Sequence, residues 1–388
     1  MDKSQIKHGM AKSFDYGTSV VYKGFQRAIA QTHNHTYLDF YLDQMSIVQD
    51  NGTITDYNYT FYSLDQYRIG MPLLYLYTHT TDTSSSSTSS PIILNNSISK
   101  YGQAATLIRN MLDLHPRNPQ GGFWHRSPTY PDQIWGDSIF MGTSFYAQYT
   151  SVFEPWNASA WDDVTLQHTL YYTHSLTAQN HNTTTIDNGD VVDANDRLLK
   201  HGYDASKRAI WASPVTGASP LVWVRAVGWF FSSLLETIEV MPASHPGHAT
   251  LTGYFQSLAE GLLEAQDNDT AGWWLIMDEQ YVGVEGNYIE SSATAMFTNG
   301  FLQGVRLGIL DGERFLGPAK RAYRMMVEEW VVVDERDGTL NWEGTVSVGS
   351  LGGNATFEYY SSQVVDENDD KGIGAFMWAS YEYELLQG

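Results

Sequence analysis

The ten residues QIWGDSIFMG, Gln133 to Gly142, hold two chemistries in one stretch. In one, Gly136-Asp137-Ser138 is a serine-nucleophile block and Ser138 attacks an ester. In the other, Ser138 is incidental and Asp137 is a proton donor set among aromatic rings. A serine nucleophile needs a strand-to-helix turn beneath it, a His to take its proton and an acid to orient that His. Here the preceding YPDQIW reads as a helix start and no GxSxG elbow occurs. The last histidine of the 388-residue chain is His248, whereas such a block is completed by a histidine near the C-terminus. The balance falls on Asp137.

The surroundings of Asp137 suit a general acid. In GGFWHRSPTYPDQIWGD, Gly121 and Gly122 permit a tight loop bearing Phe123, Trp124 and His125. A carboxyl beside Trp135 and near Trp124 is partly withdrawn from water, which favours its protonated form. The same residue also reads as a first-turn charge stabilised by the helix dipole. Residue types alone leave both open.

Other polar residues in apolar surroundings raise the same choice. In SPLVWVRAVGWFF, Arg225 and Trp229 are four apart and share a helix face. An Arg amid Trp223, Val224, Val227 and Trp229 needs a carboxylate, from the chain itself or from a substrate. LKHGYDAS sets His201 beside Asp204, and YSLDQYRIG sets Asp65 on an apolar helical pattern. Asp65 is then a satisfied core group or the partner that orients an acid. The HNH at His33 to His35 spans a glycosylation sequon and reads as a surface loop, not a metal site.

The totals remove several classes. There are 22 Lys+Arg against 44 Asp+Glu, a net charge of -22, which excludes a nucleic-acid partner and disfavours anionic membranes. An acidic protein that takes an anionic small molecule needs a local positive site. With 0 Cys, disulfides, thiol catalysis and Cys-ligated zinc are excluded. The 12 Trp, 25 Tyr and 16 Phe fit a large packed core or a sugar-stacking cleft. No apolar run approaches the ~18 residues of a membrane span. Sequons at Asn34, Asn51, Asn58, Asn95, Asn157, Asn182, Asn268 and Asn354 point to a secreted, N-glycosylated eukaryotic protein. MDKSQIKHGM has no apolar h-region, so a signal peptide is expected to have been removed or never present.

Helices must position these residues. Apolar residues recur at three- and four-residue spacing in segments such as ISKYGQAATLIRNMLDLH, GYFQSLAEGLLEAQ and SATAMFTNGFLQGVRLGIL. Ser219-Pro220 reads as a helix start, and TLNWEGTVSVGSLGG as a short hairpin. TDTSSSSTSSP is a solvated Ser/Thr-rich insertion at about 81–91. TTTIDNGDVVDANDRLL is a solvated acidic loop that lacks calcium-loop spacing. No linker divides the chain, and roughly a dozen helices without a break predict one all-α domain over 1–388, its paired helices closed into a toroid.

GGFWH…YPDQIWGDSIFMG, HGYDAS…WASPVTGASPLVWVRAVGWF and GNYIESSATAMFTNGFLQGVRLGIL, in that order, resemble the unsaturated rhamnogalacturonyl hydrolases. The resemblance runs from FDYGTSVVYKG to KGIGAFMWASYEYE, almost the whole chain. It implies an (α/α)6 barrel with its site at one mouth and neither metal nor organic cofactor. The implied reaction acts on the C4=C5 double bond that lyases leave on a uronic acid at the non-reducing end of small pectin oligosaccharides. By this matching Asp137 is the acid/base and Asp65 the second carboxylate. Tyr16, His125, Arg126, His201, Trp223, Arg225 and Trp229 line the pocket, stacking on the sugar and holding its carboxylate. Three departures, Gly136 for a bulkier residue, Arg126 for Lys and DQYRIG for a DxINPG-like stretch, bear on the subsite walls and leave the leaving sugar open. Alternatives are a glucuronyl hydrolase acting on another polysaccharide fragment, a polysaccharide lyase, or a non-catalytic sugar-binding protein. Oligomeric state is not legible.

Overall fold

Helices buried on all sides alternate along the chain with helices that bury one stripe. In the computed structural model, which describes residues 1–81, 97–177 and 197–387, every residue of α10 (Val224–Ile238) is buried. So is nearly all of α12 (Ser291–Arg306). By contrast α13 (Gly312–Trp330) buries Phe315, Ala319, Ala322 and Met326, a single stripe at helical spacing. The first kind must lie inside and the second outside.

The inner helices close a ring. α2 (Tyr16–Thr32) packs on α5 (Gly70–Thr81), α5 on α8 (Ser144–Phe153) and α8 on α10. α10 then packs on α12, α12 on α15 (Asp370–Leu385), and α15 returns to α2. Outside lie α3 (His35–Gln44), α6 (Ser97–Asp113), α9 (Ala158–Ser175), α11 (Pro246–Glu264) and α13, each against the inner helix before it. The short α1 (Asp2–His8) leans on α2 at the seam. This is the expected (α/α)6 toroid, in one domain. Gly374 lets α15 meet α2: a Cβ there would lie 2.6 Å from the Val20 carbonyl carbon.

Each inner helix before α15 is followed by an outer return, so the inner helices run parallel and their N-termini share one mouth. Three of those ends are capped by acids. Asp15 accepts from the Gly17 N–H, Glu290 from Ala293 and Asp369 from Lys371. Unpaired N–H groups give the mouth a positive partial charge. The third inner helix is compound: α7 (Gly136–Ser138), a π-helical turn over Ile139–Thr143, then α8. A π-turn widens the helix just after Asp137, a distortion common at functional sites.

Three readings of local structure are corrected. YPDQIW does not start a helix: β1 (Gln133–Trp135) pairs antiparallel with β2 (Gly202–Asp204), and only then does α7 begin. Ser219-Pro220 precedes its helix by several residues. The Val222 N–H donates to Asp278 and Trp223 bridges Ile276, which hold the chain extended up to Val224. TLNWEGTVSVGSLGG is not one hairpin, because its halves find different partners. β3 (Val331–Val333) takes β4 (Leu340–Trp342), and β5 (Thr345–Val346) takes β6 (Val365–Asp366). The Ser/Thr-rich insertion, except Thr81 at the end of α5, and most of the acidic loop from Thr183 lie outside the described residues.

Candidate active site

Asp137 stands at the N-terminal end of the third inner helix, its side chain 15% exposed. Its Oδ2 lies 3.2 Å from Nε2 of the fully buried His201, close but off the line of a formed hydrogen bond. Such contacts tighten when a substrate arrives. The β1–β2 pair sets this distance: Trp135 is opposite Gly202, and the Gly136 N–H donates to the His201 carbonyl at 3.0 Å.

The second carboxylate, Asp65, sits in α4 (Leu64–Tyr67), just before the second inner helix, and is 18% exposed. Arg126 donates to it at 2.7 Å and to Ser63 at 3.2 Å. His125 Nε2 lies 3.8 Å away on the same carboxylate. The His125 ring stacks on Trp135 with centroids 3.9 Å apart, and Tyr130 packs on Trp135 at 4.7 Å. Burial holds His125 below the usual imidazole range, although the charges of Asp65 and Asp137 pull the other way. Tyr16, first residue of α2, is within electrostatic reach of Asp65, Asp15, Arg225 and Asp137. Burial first, then those carboxylates, drive its phenol far above its ordinary range, so it is a neutral hydroxyl. The structure therefore brings Tyr16, Asp65, His125, Arg126, Asp137 and His201 to one mouth.

Arg225, Trp223 and Trp229 form a layer behind them. Arg225 donates to Glu290 at 2.9 Å, to Ser292 at 2.9 Å, and to the carbonyls of Val346 and Ser347. Of the two partners open to this arginine, the structure has the internal carboxylate. Trp229 stacks on Phe140 at 4.6 Å and meets Tyr16 edge-on at 6.4 Å. Its ring supports Tyr16 and offers no open face for a sugar, because α10 is buried all round. Trp223 packs against both His201 and Tyr360. Asp204 accepts from Ser206, Arg208 and Ala209, which makes it the anchor of a turn and not a partner of His201.

Three functional contacts escape sequence reasoning. Ser138, 1% exposed, is paired with His125: its Oγ lies 2.9 Å from Nδ1. The strand-to-helix turn and a histidine are thus both present, yet the buried Oγ cannot meet an ester, so Ser138 orients His125. Tyr130 stood inside the quoted loop motif as an aromatic between His125 and Asp137, which is a usable signal. Tyr360 gave none. It reaches His201 Nδ1 at 2.7 Å from 159 residues away in sequence.

Gly136 faces the barrel wall and not a subsite. A Cβ there would sit 2.6 Å from the Tyr171 hydroxyl and 2.7 Å from the Ala226 carbonyl. Backbone at one of the two contacts leaves little room to yield. Gly136→Ala is expected to lower stability by ~1–3 kcal/mol and to depress activity by displacing Asp137, as read by a denaturant midpoint and by turnover.

Among the described residues no cluster of three His, Asp or Glu could hold a metal ion, and no helix is long and apolar enough to cross a membrane.

The model of Glycosyl Hydrolase Family 88 matches residues 1–387. A solved glycoside hydrolase from family 105 of C. acetobutylicum ATCC 824 is 32% identical and superposes with a TM-score of 0.86, covering 99% of this chain and 98% of that one. Protein Atu3128 of Agrobacterium fabrum is 36% identical over 199 residues, 49% of this chain and 83% of the relative. Unsaturated rhamnogalacturonyl hydrolase YesR of Bacillus subtilis is 20% identical over 299 residues, 76% of this chain and 72% of the relative. These relatives are bacterial, which does not fit the eukaryotic origin read from the sequons. Several sequons also have a local structural use. Asn51 and Asn58 each accept from the N–H and hydroxyl of the Thr two residues on, and Asn34 and Asn157 cap α3 and α9. Asx-turns and N-caps produce the N-x-S/T pattern without a glycan.

Proposed function

Because the chain belongs to Glycosyl Hydrolase Family 88 and is a glycoside hydrolase, we propose that it releases a 4,5-unsaturated uronic acid from the non-reducing end of small pectin (rhamnogalacturonan) oligosaccharides, with Asp137 as proton donor. The observation that supports this most is the pairing of a partly open Asp137 with buried His201, at a mouth where Asp65 is held by Arg126.

The alkene of such a sugar is an enol ether, electron-rich at C4. Asp137 gives its proton to C4, and positive charge develops at C5 and the ring oxygen. Water adds at C5 and returns a proton to the Asp137 carboxylate, leaving a hemiketal. Ring opening turns C5 into a ketone and C1 into a hemiacetal, which collapses to an aldehyde and frees the neighbouring sugar. Asp65, neutralised by Arg126, orients the water or the ring hydroxyls near Tyr16. With Arg225 buried against Glu290, the cation open to a substrate carboxylate is Arg126, 32% exposed at the rim, one face of which is shared with Asp65. Helix N-termini around the mouth add to the positive field.

Adding an unsaturated disaccharide is expected to abolish the ultraviolet absorbance of its conjugated double bond, while the saturated equivalent stays uncleaved. Equal cleavage of both would end the hydration mechanism, and a rise in absorbance would mean a lyase. Disaccharides that differ only in the second sugar separate rhamnose from amino-sugar or other neutral leaving groups.

A further inference from the structure

His201 faces Asp137, and what it does there depends on which ring nitrogen carries hydrogen. A neutral imidazole has one N–H and one bare nitrogen, and the partner of one decides the other. The Tyr360 hydroxyl lies 2.7 Å from Nδ1, at the rear of the ring. Tyr360 belongs to α14 (Phe357–Ser361), on the segment between β5 and β6, and is itself buried. Burial first, with the charges of Tyr359 and Asp137 nearby, holds its phenol far above the ordinary range, so it is a hydroxyl and can donate.

We infer that Tyr360 is a positioning residue for the proton transfer: by donating to Nδ1 it fixes His201 as the Nε2–H tautomer, which puts the hydrogen on the ring nitrogen nearest the Asp137 carboxylate. This rests on reading Asp137 as the proton donor. Once Asp137 has lost its proton to C4, Nε2, 3.2 Å from Oδ2, has a hydrogen to offer the new carboxylate after a small reorientation. The other tautomer would set a nitrogen lone pair against an anion. The remaining ring neighbours of His201 impose no tautomer. Trp135 meets it edge-on at 5.6 Å and Trp223 lies tilted against it at 4.6 Å. His125, within electrostatic reach, is held neutral by burial.

Nitrogen-15 NMR of histidine-labelled protein distinguishes the two tautomers. The expected His201 signature is a protonated Nε2 and a bare Nδ1, assigned by its loss in His201→Asn. Tyr360→Phe keeps the ring and removes the donor. It is expected to lower kcat on an unsaturated disaccharide by ~10–100-fold with KM within about twofold, and to give a mixed tautomer. A native His201 protonated on Nδ1 overturns the inference, as does Tyr360→Phe with an unchanged kcat. If that variant fails to fold, the native tautomer decides alone. Turnover retained in Asp137→Asn would instead remove the acid assignment and leave the tautomer measurement standing.

Discussion

Asp137→Asn is expected to lower turnover of an unsaturated disaccharide by ~10²–10⁴-fold, the range for a positioned general acid, while binding persists. The amide has nearly the shape of the carboxyl, so the His201 contact and the π-turn that follows keep their geometry. What it lacks is a proton acidic enough to reach C4 and a carboxylate to take one back from water. In the proposed reading, affinity is expected to come mostly from groups that the substitution leaves alone: Arg126, Tyr16 and the helix N-termini. Turnover followed by loss of absorbance, with binding followed by calorimetric titration, separates the two quantities. A variant that keeps a tenth or more of native turnover would exclude Asp137 as the donor. Equal loss of binding and turnover would mean that the residue holds the site together and does not act in it.

How much of this was legible follows from the range of each interaction. Ring architecture was, because burial on all sides in α10 and on one stripe in α13 leaves its mark in local periodicity. Asp137, Asp65, His125 and His201 stood out among their sequence neighbours, whereas Arg126 entered only through the family resemblance; the structure brings all five to one mouth. The partner of Arg225 was not: Glu290 is 65 residues away, and the spacing of Arg225 and Trp229 only showed that some carboxylate had to arrive. The β1 strand was misread for a similar reason. Its pairing with Gly202–Asp204 is non-local, whereas YPDQIW has the local look of a helix cap. The eukaryotic origin read from the sequons does not fit the bacterial relatives, and Asn followed two residues later by Thr serves a turn as well as a glycan.

Glu236→Gln is expected to destabilise the protein by ~3–5 kcal/mol, the cost of breaking a buried ion pair from one side. Deeper in the ring than the site, Glu236 takes both terminal nitrogens of Arg68, at 2.7 and 2.8 Å, and the Lys23 ammonium at 2.7 Å. Burial works against its charge, but Arg68 and Lys23 outweigh that and hold its carboxyl down to about 2. A folded value below the unfolded one means stability that is fully present above the usual carboxylate range and fades as pH falls from ~5 towards 2. Glu236→Gln should therefore be weaker at neutral pH and should lose less on acidification, as read by denaturant midpoints across that range. Its amide leaves the buried Arg68 and the partly buried Lys23 without a counter-charge, and Arg68 already has an unpartnered Nε. Replacing Lys23, Arg68 and Glu236 together with Met removes the charges and the desolvation they cost, so the triple variant should be more stable than Glu236→Gln alone. Arg68 also donates to the Phe140 carbonyl within the π-turn and lies over the Phe140 ring, which also stacks on Trp229 beneath Tyr16. The buried network and the catalytic mouth thus share one support. Destabilised Glu236 variants should lose activity before they unfold, through the wall that carries Asp137.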